Sequence, residues 1–205
     1  MSGAITCAPR ALSICSPIPP MSNPSLFSST EAPAHWLWVD VSTQRLREMR
    51  GLATHAEYVV STARNGLGEQ RGSGCTPRGW HVIRARIGDG LPTTAILRGR
   101  RWTGACYHPG EVADQPRRQD WILGRILWLS GCESGVNRGG QQDTQRRYIY
   151  IHGTADTEHL GQPVSAGCVR MAPEAVCALF TRCAVATPVF IGAQHPLSFP
   201  APRRP

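Results

Sequence analysis

The apolar and polar positions of this chain fall mostly into short β patterns. "HWLWVDV" places Trp36 and Trp38 two apart and continues with β character through Val41. "STQ" then marks a turn, and residues 45–49 return as a second strand. "AEYVVSTA" reads as a strand over 56–61. A loop rich in Gly, Ser and Arg covers 65–74. Pro77 and Gly79 form a turn that leads into a strand over 80–87. Residues 89–119 are turn-rich with short β pieces, in the manner of a lid or insertion over a site. "DWILGRILWLSG" has apolar residues at 121, 122, 123, 126, 127 and 129, which fits either a short helix or a buried strand; we read it as a strand. A glycine-rich loop over 132–145 follows. "RRYIYIHG" is a strong strand that delivers His152 at its end.

The only clear helical spacing is in "MAPEAVCALFTRC", where Val176, Leu179, Phe180 and Cys183 share a face. Pro173 suits a first helical turn, and Glu174 suits the N-terminal end of the dipole. "ATPVFIG" is a closing strand. Residues 1–34, rich in Ser and Pro, read as a flexible leader, and 193–205 as a loose Pro-rich tail. The expectation is one domain over 35–192, mostly β and sandwich-like, with one or two short helices.

Composition changes this picture little. With 205 residues and 41% hydrophobic content, the chain can bury one core. The net charge is +8, but the basic residues are scattered in small groups around 98–101, 117–118, 146–147 and 203–204. Nucleic-acid binding needs them gathered on one face with aromatic platforms, so that class is set aside. The charge reads as an arginine-biased solvated surface, with attraction to an acidic substrate as the milder functional reading.

Eight cysteines, at 7, 15, 75, 106, 132, 168, 177 and 183, include no CxxC pair and no zinc-ribbon spacing. We expect mostly unbridged, buried thiols, with Cys168 the exception. The opening residues lack the basic start and unbroken apolar run of a secretory signal, and no run approaches membrane-spanning length. The expectation from the chain as given is therefore a cytoplasmic protein.

Chemistry concentrates in "YIYIHGTADTEHLGQPVSAGCVRM". A histidine on a strand is followed, 16 positions on (168 − 152), by a cysteine after small residues. A thiol is a poor nucleophile until an imidazole takes its proton, and the imidazole itself needs an orienting group. In "SAGC", the amides of Ala166 and Gly167 can approach a substrate closely and stabilise an oxyanion. A helix starting near Ala172 would favour the thiolate if its N-terminus faced this turn. Arg170 offers a planar fork for a carboxylate. A zinc site from His152, His159 and Cys168 is a rival, but it lacks a fourth ligand and a short-spaced pair.

"IHGT…SAGCVRM" resembles the signature of L,D-transpeptidase catalytic domains, the YkuD-like family. "WVDVSTQRL", "YVVSTARNG", "CTPRGWHVI", "DWILGRILWL" and "ATPVFI" also have counterparts there, so the resemblance covers residues 36–192. It implies a mostly-β fold and cysteine-dependent acyl transfer on peptidoglycan stem tetrapeptides or muropeptides. D-Alanine leaves, and a thioester remains for an acceptor amine. Water as acceptor would make the protein an L,D-carboxypeptidase, the reading that suits a cytosolic, muropeptide-trimming member. A non-catalytic wall-peptide binding module is the remaining alternative.

Carried over by position, Cys168 resembles the nucleophile and His152 the base, with the carbonyl of Gly153 holding the imidazole. The N–H groups of Ala166, Gly167 and Cys168 would form the oxyanion hole. Ser165 would brace the turn, Arg170 would contact a stem-peptide carboxylate, and Tyr150 would line the substrate wall or join the core. The family implies no cofactor and no metal, and a carbapenem as covalent inhibitor. Many members have His where this chain has Ala166, which bears on acceptor choice. Most members work outside the cytoplasmic membrane, so the family's alternative compartment is the periplasm.

Overall fold

The computed structural model describes residues 31–109, 121–197 and 199. In chain order the strands are β1 (Trp36–Asp40), β2 (Arg45–Arg50), β3 (Ala53–Ser61), β4 (Gly79–Ile87), β5 (Ala95–Arg98), β6 (Arg101–Cys106), β7 (Ile122–Gly131), β8 (Tyr150–Thr154), β9 (Val169–Met171) and β10 (Pro188–Gly192). One α-helix, α1 (Pro173–Arg182), lies between β9 and β10. The fold is mostly β with a single mixed sheet, as the alternation predicts.

All ten strands join in the order β4-β10-β1-β2-β3-β9-β8-β7-β5-β6, and a further β4–β7 pairing closes the sheet on itself. Only β1–β10 and β8–β9 are parallel. Closure removes the unpaired edges that an open sheet would leave on β4 and β7. The β5–β6 hairpin hangs from the first residues of β7, through Ile96↔Leu123 and Leu97↔Ile122.

The core follows from strand alternation. Leu37 and Val39 from β1, Leu46 from β2, Val60 from β3, Ile83 from β4 and Ile151 from β8 all enter one apolar cluster. Helix α1 adds Val176, Leu179 and Phe180 to it, the face its spacing predicts. β7 is buried on both faces. Leu127 and Leu129 meet the main core, whereas Ile126 joins Leu97 and Tyr150 in a smaller cluster beneath the hairpin. A strand apolar on both sides loses its period-2 signal, which is why its sequence also fits a helix.

Two expectations change. The C-terminal tail, expected to be loose, is anchored at Phe199, which is buried against Trp36 and Trp80. His195 stacks edge-on against Trp36 and Trp38. Residues 198 and 200–205 of the tail and the leader up to residue 30 lie outside the described residues. Of the cysteines, only Cys75 and Cys183 are buried; Cys106, Cys132, Cys168 and Cys177 are half-buried thiols. Burial pushes the Cys183 thiol up to about 12. Cys7 and Cys15 lie outside the described residues. Among the described residues no helix is long and apolar enough to cross a membrane.

The glycine-rich loop after β7 is structured by polar side chains. The Glu133 carboxylate accepts from the Trp80 N–H at 2.6 Å, and Asn137 Nδ2 donates to the carbonyls of Arg78 and Trp80. His81, fully buried beside this network, has Nδ1 3.0 Å from the Gly79 carbonyl and Nε2 3.1 Å from Thr144 Oγ1. Burial lowers its pKa to about 4; the bond to Gly79 opposes the shift and nearby Arg147 adds to it. The folded state therefore resists a proton that the unfolded chain accepts near pH 6.5. Stability is full above that value and falls as the pH drops towards 4. Urea unfolding at pH 4.5 against pH 7 should show a loss of about 2 kcal/mol from this residue, and His81→Gln should flatten that part of the slope.

Candidate active site

The two residues singled out for chemistry are carried by the parallel pair β8 and β9. Their register sets Ile151 against Val169, His152 against Arg170 and Gly153 against Met171. Ile151, Val169 and Met171 point into the main core. Tyr150, His152 and Arg170 therefore lie on the opposite face, and so does Cys168, one step before β9. Cys168 packs against the small cluster of Leu97, Ile126 and Tyr150 on that face. The register makes it a diagonal neighbour of His152. His152 sits in the middle of β8 rather than at its end, and is 1% exposed.

The imidazole is oriented by its own strand. Nδ1 lies 2.9 Å from the Gly153 carbonyl. A carbonyl only accepts, so Nδ1 carries the hydrogen, and in the neutral ring Nε2 is the acceptor. Gly153 has a second duty. A Cβ there would stand 2.6 Å from the Leu123 carbonyl and 3.1 Å from Pro173 Cα. Only glycine lets the first turn of α1 dock against β8 next to the histidine.

The cysteine half is built from a strapped turn. Ser165 Oγ donates to the Cys168 carbonyl at 2.6 Å and accepts from the Gly167 N–H at 3.2 Å. Backbone bonds tie Ser165 to Thr62 and Arg64. Thr76, fully buried, donates from Oγ1 to the Gly167 carbonyl at 3.0 Å and accepts from the Ala63 N–H at 2.9 Å. Gly167 has φ +133°, and a Cβ there would meet the Cys75 carbonyl and Ile149 at 3.3 Å, so no other residue fits without strain. Cys168 Sγ lies 3.5 Å from the Tyr148 carbonyl.

Two sequence assignments change against this geometry, and the alternatives for Tyr150 narrow to one. Gly167 does not offer its N–H outward, because Ser165 Oγ takes it. Arg170, expected to meet a substrate carboxylate, is buried; its Nη2 lies 3.3 Å from both Asp156 Oδ2 and Ser61 Oγ. The other oxygen of Asp156 is 2.5 Å from His159 Nδ1. The arginine thus fastens the loop between β8 and β9, and His159, the third member of the zinc alternative, belongs to that fastening. Tyr150, 6% exposed, is a core residue on the site face, and its hydroxyl accepts from Arg100 Nη1 at 3.1 Å. Ala166 is exposed at the turn.

Sequence reasoning passed over Thr76 as a strap, Asp156, Arg100 and Arg147. Arg147 donates to the carbonyls of Gly68, Glu69 and Cys75, which ties the loop before β4 to the start of β8. Its burial lowers its own pKa, and it stands within electrostatic range of Cys168. The one available signal was the arginine pair at 146–147 directly before a strand.

The L,D-transpeptidase catalytic domain model matches residues 34–191. The chain belongs to that family. Solved structures similar to it include L,D-transpeptidases from Mycobacterium smegmatis (14% identity, TM-score 0.44) and Enterococcus faecium (14%, 0.48). A third is L,D-transpeptidase 3 from Mycobacterium tuberculosis in complex with a faropenem-derived adduct (13%, 0.45). They cover 77%, 78% and 78% of this chain, which spans 58%, 50% and 60% of theirs. No curated protein matches.

The strap predicts a measurable dependence of the family's signature turn on a residue outside it. Thr76→Val keeps the shape but leaves the Ala63 N–H and the Gly167 carbonyl without their buried partner. We expect a loss of about 1–3 kcal/mol in urea unfolding and a slower reaction of Cys168 with iodoacetamide, followed by peptide mapping.

Proposed function

We propose that this protein is a cysteine acyltransferase acting on peptidoglycan stem tetrapeptides, releasing D-alanine through a thioester on Cys168. The observation that carries this reading is the placement of Cys168 and His152 on one face of adjacent parallel strands, with His152 Nδ1 fixed on the Gly153 carbonyl.

In this reading His152 Nε2 takes the proton of the Cys168 thiol. The thiolate attacks the carbonyl carbon of the third stem residue, and the carbonyl π electrons move to oxygen. With the Gly167 N–H engaged inside the turn, the oxyanion role falls to the N–H groups of Ala166 and Cys168. The half-buried cation of Arg147 adds a favourable field for negative charge at this place. The tetrahedral species collapses, the C–N bond breaks, and the D-alanine nitrogen leaves with the proton held by His152. An acceptor amine then gives a proton to His152 and attacks the thioester, which forms a new amide and frees the thiol. Water in place of the amine makes the same enzyme an L,D-carboxypeptidase. The absence of an imidazole at Ala166 bears on that second step, since no side chain there can meet the acceptor.

A thiolate in this position also opens a strained β-lactam. Mass spectrometry of the protein with a carbapenem should show an adduct of the intact drug on Cys168, and with tetrapeptide it should show released D-alanine. Cys168→Ala should lose both by more than about 10³-fold. Either signal persisting in that variant would move the nucleophile elsewhere. The ratio of dimer to tripeptide with an added amine acceptor separates transfer from hydrolysis.

A further inference from the structure

The arginine cluster at 98–101 forms the tip of the β5–β6 hairpin. Gly99 and Arg100 are the two loop residues, and both have positive φ, 55° and 66°. That is the geometry of a tight hairpin turn whose second position favours glycine, yet here it carries an arginine. The turn directs Arg100 across the outer face of β7 and β8. Its guanidinium lies 4.8 Å from the Trp128 ring centroid and 5.0 Å from that of Tyr148, while Nη1 donates to the Tyr150 hydroxyl at 3.1 Å.

The aromatic residues that hold it border the nucleophile. The Tyr148 carbonyl is 3.5 Å from Cys168 Sγ, and Cys168 and Trp128 both pack against the cluster that contains Tyr150. Several arginines of the sheet and its loops have carboxylate partners, Arg47 with Asp40, Arg78 with Glu69, Arg170 with Asp156 and Arg182 with Glu48, while Arg86 and Arg125 lie over the ring of Phe180, a main-core residue. Arg100 has none among the described residues, and its only hydrogen bond there is the one from Nη1. Arg147 also lacks a carboxylate, but its fork is turned onto buried carbonyls. Arg100 is half-exposed and keeps an edge of its fork for an incoming anion.

We propose that Arg100 is the anchor for the terminal carboxylate of the substrate peptide, the role that the sequence suggests for Arg170. The inference rests on the acyl-transfer reading. When Cys168 attacks the carbonyl before the last residue, the terminal carboxylate lies about 4 Å further along the chain. That reach carries it over the Tyr148 and Tyr150 patch, where the fork waits. Stacking between two rings limits the motions of the side chain, so little ordering remains for the ligand to bring about. A fixed carboxylate anchor one residue beyond the attacked bond restricts the reaction to the last peptide bond of a chain.

The test compares a stem tetrapeptide with its C-terminal amide. Wild type should favour the free acid. Arg100→Gln, which keeps a donor for Tyr150 but not the charge, should lower kcat/KM on the acid by about 10- to 100-fold and leave the amide nearly unchanged. Arg100→Lys should retain part of the preference, and it serves if glutamine unfolds the hairpin. Equal losses on both peptides, or no preference in wild type, would overturn the anchor. Binding of the two peptides to Cys168→Ala, with and without Arg100→Gln, is followed by NMR titration. If wild type turns over neither peptide but acid-dependent binding vanishes with Arg100→Gln, the acyl-transfer reading falls and the anchor stands. If turnover is normal and binding does not distinguish acid from amide, the anchor falls alone.

Discussion

The site depends on one pairing, the parallel alignment of β8 with β9. Parallel neighbours cannot be joined by a tight turn; the chain must cross over and return in the same direction. Here the return is made by the loop over 155–168, which carries no helix to stiffen it. The pairing is only three residues long, Ile151 to Gly153 against Val169 to Met171. So short a ladder cannot order such a loop by itself. The surrounding polar groups compensate: Asp156 between His159 and Arg170, Ser61 Oγ on the Gln162 carbonyl, and Ser165 and Thr76 around Gly167. Each is a hydrogen bond of modest net worth, but those at Ser61, Ser165, Thr76 and Arg170 involve buried groups that an unmade bond would strand.

What could be read from the sequence follows from which forces leave a local trace. Amphipathic segments leave one, so β1 to β4, β8, β10 and α1 stand close to their expected places. The sulfur and imidazole leave one because the turn around them needs small residues. β9 left none, since three residues are too few for a period and its identity comes only from its partners in β3 and β8. The choice among arginines was also invisible. Arg170 lies two residues after the cysteine and on the same face, but it is buried and its Nη2 is engaged by Asp156 and Ser61. Arg100 is distant in sequence and comes near only because the hairpin hangs from β7. The tail was misread for the same reason: proline-rich composition suggests looseness, whereas Phe199 finds a tryptophan pair distant in sequence.

Charge shows the same division between local and global. A net charge of +8 suggests a diffuse basic surface. In the folded chain several arginines are matched by carboxylates or ring faces; Arg182 and Arg50, for instance, both meet the fully buried Glu48. Arg86 lies over the Phe180 ring at 4.1 Å. Arg147 and Arg100 are both half-buried and have no carboxylate partner among the described residues; Arg147 lies within electrostatic range of Cys168, and Arg100 sits on the Tyr148 ring, whose residue's carbonyl is 3.5 Å from the sulfur.

The two halves of the site are held by different means, and that difference has a mechanical consequence. His152 belongs to the closed sheet: its strand pairs with β7 along nearly its whole length and is backed by α1 through Gly153. Its position can shift only if the core shifts. Cys168 belongs to a turn held by hydroxyls and backbone bonds from loops, with Thr76 reaching it from the segment before β4. Loops open locally at lower free energy than core strands do. His152 is therefore the more rigidly held of the two side chains, and Cys168 the one whose geometry can yield. Arg147 links the two, since it stands next to β8 in sequence and grips the carbonyls of the loop that carries Thr76. A residue outside the family signature thus couples the rigid half of the site to its compliant half.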